Sequence, residues 1–144
     1  MKYSIRFYIS WITAALFMYA AFYVWHGLFL NDLNNITFPK PIFFGLTALV
    51  YLAISYVLYR TYESKIINKI FHYPVIRGIA SGFIVGFLLF AFVTVLGISF
   101  TSTHSLKYML ADSAWQIIEQ VIGGLIITIG KLVIFDHLGE TIRD

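Results

Sequence analysis

Residues 75–100 read VIRGIASGFIVGFLLFAFVTVLGISF, with Arg77 as the only charge. A helix rises about 1.5 Å per residue, so ~20 apolar residues in a row span the ~30 Å hydrocarbon layer of a bilayer. A run this apolar would overwhelm the core of a small soluble domain, yet lipid accepts it on every face. The same reading applies to three more runs, which begin near Ile5, Pro41 and Met109. The sequence therefore predicts an all-α integral membrane bundle of four transmembrane helices, at about 5–30, 41–60, 75–100 and 109–135, filling residues 1–144 as one unit.

Composition agrees with that reading. The 144 residues are 60% hydrophobic and only 12% charged, where soluble chains carry about a quarter charged residues. Ten Lys and Arg against seven Asp and Glu give net +3. These cations flank the apolar runs instead of clustering on one polar face, which is the membrane pattern and argues against nucleic acid as a partner. Cysteine is absent, so disulfides, thiolate nucleophiles and Cys-ligated metals are excluded. The first run has a charged leader in Lys2 and Arg6. Its apolar stretch to Trp25 is nevertheless long for a signal peptide, and aromatic residues stand where a cleavage site would fall, so it reads as a retained span.

Orientation follows from the short loops. Lys2, Arg6, Arg60, Lys65, Lys69, Arg77, Lys131 and Arg143 lie at the termini or between the second and third runs, whereas the other two loops offer only Lys40 and Lys107. Lys- and Arg-rich loops stay in the cytoplasm, so both termini are predicted there, in a multi-pass protein of the cell (inner) membrane. Tyr62 to Phe71, mixed apolar and basic, reads as a short amphipathic helix on the membrane surface. Lys131 is expected to snorkel to the cytoplasmic interface beside Asp136. Asn35-Ile36-Thr37 fits the glycosylation pattern in a predicted outer loop.

Two patterns inside the spans point beyond topology. Gly78, Gly82 and Gly86 recur every four residues, a small-residue stripe that lets another helix backbone come close. Gly123, with Gly124 and Gly130, is expected to answer it from the fourth span. On that span Asp112, Gln116 and Glu119 recur at helical spacing. A carboxylate deep in a span costs at least ~2.5–3.5 kcal/mol on insertion scales, so it normally faces protein or water and has a partner. Tyr19, Tyr23 and His26 share a face of the first span at compatible depths, and Tyr51 and Thr94 are candidates to close the ring. The expectation is an outward-facing polar pocket between the first and fourth spans, lined by Tyr19, Tyr23, His26, Asp112, Gln116 and Glu119, serving as a ligand site or proton path. The bland alternative starts the fourth helix at Asp112 or Ser113, where Ser113 and Gln116 have capping-box spacing.

No catalytic residue is assigned. His26 is the one histidine well inside a span, which disfavours bis-His haem, and neither H-x-x-x-H nor E-x-x-H spacing supports a metal. No cofactor is predicted; haem, chlorophyll or a metal at His26 is the disfavoured alternative. The favoured function is a small non-enzymatic ligand-binding component, or a subunit of a larger membrane assembly, in contact with lipid and with copies of itself or other subunits. An oligomeric transporter or channel, proton-linked through Glu119, is the second reading, although no Pro breaks a span and no internal repeat is visible. A membrane-embedded enzyme on a lipid-like substrate, using His26 with Glu119 or Asp112, is the third.

Overall fold

A computed structural model describes residues 5–34, 36–100 and 106–139, with side chains at 32, 96–100, 106–109, 112 and 134–139 outside the description. Helix α1 (Ile5–Phe22) continues into a π-helical segment, Tyr23–Phe29, and a 3-10 turn, Asp32–Asn34. Helix α2 (Lys40–Tyr62) is followed by the short α3 (Lys65–Ile70), then by α4 (Pro74–Phe100) and α5 (Leu106–Gly139). Four helices are long and apolar enough to cross a membrane, over Ile5–Phe29, Lys40–Tyr62, Pro74–Val95 and Ser113–Val133. The chain is a small multi-pass membrane protein built as an all-α bundle.

Helix α5 is the hub. It packs on α4 most extensively, on α1 next, and also reaches α2, whereas α1 and α4 do not meet among the described residues. The close α4–α5 contact rests on the glycine stripe. A Cβ on Gly78 would fall 2.7 Å from the Gly124 carbonyl oxygen, one on Gly82 2.5 Å from the Val121 Cα, and one on Gly86 2.8 Å from the Ile117 Cα. These are backbone atoms, which cannot swing aside, so only the hydrogen of glycine fits. Thr128 locks the end of this seam near Pro74 by donating to the Gly124 carbonyl at 3.0 Å and to the Pro74 carbonyl at 3.3 Å.

The partner of the α4 stripe is Gly124, not its neighbour Gly123. Gly123 turns instead towards Met18 of α1 and Leu58 of α2, and Gly130 towards Ser10 of α1. Successive helical residues point about 100° apart, so two adjacent glycines serve two different neighbours. That doublet is what allows α5 to press on three helices at once.

An aromatic cluster ties α1 to α2 at the end where the chain begins. Phe7 stacks on Trp11 at 5.5 Å and meets Tyr59 edge-on at 4.8 Å. The Trp11 indole N–H donates to the Leu52 carbonyl at 2.8 Å, which satisfies the polar edge of a ring otherwise packed among apolar groups. Near this end Lys131 of α5 pairs with Glu63 just beyond α2 and lies over the Tyr59 and Tyr62 rings. Lys131 therefore reaches across the bundle for its anion; the side chain of Asp136 lies outside the described residues.

Two local features depart from a plain helical reading. The first span is predicted as one continuous helix, yet its C-terminal portion, Tyr23–Phe29, winds as a π-helix closed by the Leu30 N–H on the Trp25 carbonyl at 2.9 Å. Asn31 then reverses the chain with φ at 57°, a conformation that Asn tolerates better than most residues. In addition, α5 begins at Leu106, so Ser113 and Gln116 lie inside the helix and do not cap it.

Replacing Gly82 with Val is expected to force α4 and α5 apart at an overpacking cost of about 1–3 kcal/mol. Gly45, whose Cβ position is open, supplies the control. Thermal unfolding followed by circular dichroism in detergent should show a clearly lowered midpoint for Gly82→Val and an unchanged one for Gly45→Ala.

Candidate functional site

Glu119 lies on the hub helix and is buried, 2% exposed, next to Gln120 at 0%. Inside a bilayer the cost of that burial falls on the whole bundle unless neighbours answer the carboxyl group. One polar neighbour comes from α2: the side chain of Tyr51, itself buried, lies beside the Glu119 carboxyl group. Two rings of the first span brace the Tyr51 ring, Tyr19 at 6.1 Å and Phe22 at 5.7 Å. The Glu119 Oε1 atom and both polar atoms of the Gln120 carboxamide are buried without a hydrogen-bond partner.

The other residues singled out from sequence are distributed around this pair. Tyr19 meets Tyr51 through its ring, but its hydroxyl donates to the Phe44 carbonyl of α2 at 3.5 Å. Tyr23 is half exposed and packs against Phe44. His26 sits against Phe22, with ring centroids 4.9 Å apart. Together with Phe90, Val93, Trp115 and Gln116, His26 lines a cavity of about 160 Å³ at the end of the bundle away from Ile5. The side chain of Asp112 lies outside the described residues, and so does Asn35 of the glycosylation pattern. Among the described residues no three His, Asp or Glu side chains converge to hold a metal ion.

The π-helical segment explains how this end of the bundle is assembled. A π turn takes in extra residues and re-aims the side chains that follow. Here the Trp25 ring stacks on Trp115 of α5, with centroids 4.4 Å apart and planes 9° from parallel. This stacked pair clamps the first span to the hub beside the His26 cavity.

The larger space lies elsewhere, between α2 and α4. One cavity of about 420 Å³ is lined by apolar residues such as Val57, Val85 and Leu88, with Thr61 at its inner limit. A second, of about 540 Å³, runs outward past Phe43, Thr47 and Val50. The two share Ile54, Leu89 and Phe92, so they adjoin along the cleft between α2 and α4. Leu46, Val50, Val57, Leu88 and Phe92 along it are all exposed, which places its mouth on the lipid-facing side. Its lining is apolar apart from Thr47, Thr61, Tyr51 and Gln116. Gln116 of α5 lines both this cleft and the His26 cavity.

Among the described residues, the seam between the first and fourth spans borders the small cavity of His26 and Gln116, and Tyr51 of the second span lies beside the acid. Tyr51 is the residue that sequence reasoning underweighted. Its signal was modest: a tyrosine near the centre of an apolar span, where a hydroxyl needs a partner. No family model, curated protein or solved structure matches this chain.

Removing one member of the Tyr51–Glu119 pair leaves the other buried and unanswered, at about 1–3 kcal/mol. Tyr51→Phe should therefore destabilise the folded protein in micelles. The double variant Tyr51→Phe/Glu119→Leu should lose less than the sum of the two single variants, a coupling that a double-mutant cycle of unfolding free energies measures directly.

Proposed function

We propose that this protein is a non-enzymatic membrane component that binds an amphipathic small molecule or lipid in the cleft between α2 and α4. The apolar part of the ligand lies along Ile54, Leu89 and Phe92, and its hydrogen-bonding end meets Tyr51 and Gln116. One observation carries the reading: a laterally open apolar cleft carries two polar side chains, Tyr51 and Gln116, on the wall of its larger cavity. Ligand sites commonly take this form, an apolar cavity with a few placed polar groups that set orientation. Entry from the lipid phase spares the ligand any passage through water. In this reading the bundle works in the cell (inner) membrane, as a homo-oligomer or as a subunit beside other membrane proteins.

A second reading rests on the Glu119 Oε1 atom, which is buried and has no hydrogen-bond partner. A carboxyl group so placed can take up and release a proton, and Gln116 connects its neighbourhood to the outer cavity of His26. An oligomer using Glu119 for proton-linked transport would show pH-dependent flux in reconstituted vesicles that Glu119→Gln abolishes. An unchanged pH profile would remove Glu119 from any proton role.

The binding reading is tested with a fluorescent polyene fatty acid as the probe. Saturable binding is expected for the wild type, and Leu89→Phe with Val93→Phe, which fills the cleft, should weaken it at least about tenfold, the effect of ~1.4 kcal/mol. Non-saturable partitioning, identical in the filled variant, would contradict the reading.

A further inference from the structure

We propose that the connector between α2 and α4 is a binding site for anionic phospholipid in the leaflet on the side of the termini. This inference does not depend on the cleft. The connector lies at the same end as both termini, since Phe7 meets Tyr59, Gly130 approaches Ser10 and Lys131 pairs with Glu63. Its core is α3, one and a half turns long, with a separate task for each face. Ser64 caps it by accepting from the Ile67 N–H at 3.2 Å, and Ile67 is buried against the bundle. That anchor fixes the rotation of the helix.

With the rotation fixed, Ile66 and Ile70 point away from the protein, 70% and 59% exposed, and Tyr73 follows at 72%. Lys65 and Lys69, one turn apart, share the adjoining exposed face, and exposed Arg60 precedes them at the end of α2. An exposed apolar edge beside a cationic edge is the pattern of a helix lying in the headgroup layer. The isoleucines reach acyl chains, while the lysines stand at the depth of the phosphates.

Charge bookkeeping within the connector identifies the partner. Its single acid, Glu63, is committed to Lys131 of α5. Arg77 is occupied differently, with its guanidinium 5.0 Å from the Tyr62 ring centre. Among the described residues, no acid pairs with Arg60, Lys65 or Lys69. Three exposed cations held beside lipid-facing isoleucines complement a molecule with an anionic head and apolar tails. A zwitterionic lipid offers the same tails without the net charge, and free phosphate offers the charge without the tails.

The test titrates full-length protein in neutral detergent with phosphatidylglycerol or phosphatidylcholine and reads bound lipid by native mass spectrometry. Phosphatidylglycerol should bind more tightly, and the preference should shrink with added salt. Each cation contributes roughly a fivefold factor near an anionic surface, so Arg60→Gln/Lys65→Gln/Lys69→Gln should weaken phosphatidylglycerol binding on the order of 100-fold. Lys40→Gln, exposed on the opposite side of the bundle, should leave it unchanged. Ile66→Ser/Ile70→Ser should weaken both lipids, and inorganic phosphate should not compete. Equal binding of the two lipids, an unaffected triple variant, an equal loss in Lys40→Gln or displacement by inorganic phosphate would each overturn the proposal. The elution profile of every variant on gel filtration verifies that the bundle is intact.

Discussion

The bundle is organised by the need to keep one carboxyl group out of lipid. Glu119 and Gln120 place two adjacent polar side chains on a helix that must cross the apolar layer. Water cannot answer them there, so protein must surround them on several sides. Lipid contributes little to holding helices together, because acyl chains are as apolar as the side chains they would replace. Close backbone contact supplies the cohesion instead. The Gly78, Gly82 and Gly86 stripe seats α5 against α4, and Gly123 leaves room for Met18 and Leu58 on the other flank. With α5 drawn into the centre, Tyr51 of α2 comes to lie beside Glu119.

The same packing leaves open space between α2 and α4. Where glycines bring backbones together the seam is filled, and where Phe, Leu and Val face one another without a small-residue stripe a cleft remains. Tyr51 stands at the boundary between these regimes. One of its neighbours is the buried acid and another is the cleft. Structural tolerance of Glu119 and the polar character of the cleft floor thus share a single side chain, which is why the proposed ligand site and the stability of the bundle are coupled.

Much of this was legible in the residues themselves. Four apolar runs fixed the spans to within a few residues, and the mixed pattern of Tyr62 to Phe71 marked the short surface helix seen at Lys65–Ile70. The partner of the acid was harder to read. Depth along a span follows from helical rise, and it placed Tyr19 level with Glu119; which helix lies beside which does not follow from depth. Tyr19 does lie near the pair, packed on Tyr51, but Tyr51 is the ring beside the acid. Neighbour choice was settled by the Gly123–Gly124 doublet, whose two members face different helices, and sequence spacing alone does not say which faces which. The π-helical segment carries no local sequence signature; stacking of Trp25 on Trp115, a tertiary contact, accompanies it. Lys131 pairs with Glu63, distant in sequence, for the same reason: the fold brings together what the chain separates.

The central claim is that α2, through Tyr51, answers Glu119 from within the bundle. Solid-state NMR on the protein in lipid bilayers, with carbon-13 in glutamate side chains and tyrosine rings, examines that contact directly. A hydrogen bond of ~2.7 Å places the Glu119 carboxyl carbon roughly 4 Å from the ring carbon bearing the Tyr51 hydroxyl, so a strong cross-peak between the two is expected, and it should vanish in Tyr51→Phe. Cross-peaks from the Glu119 carboxyl to lipid acyl chains, with none to Tyr51, would contradict the account.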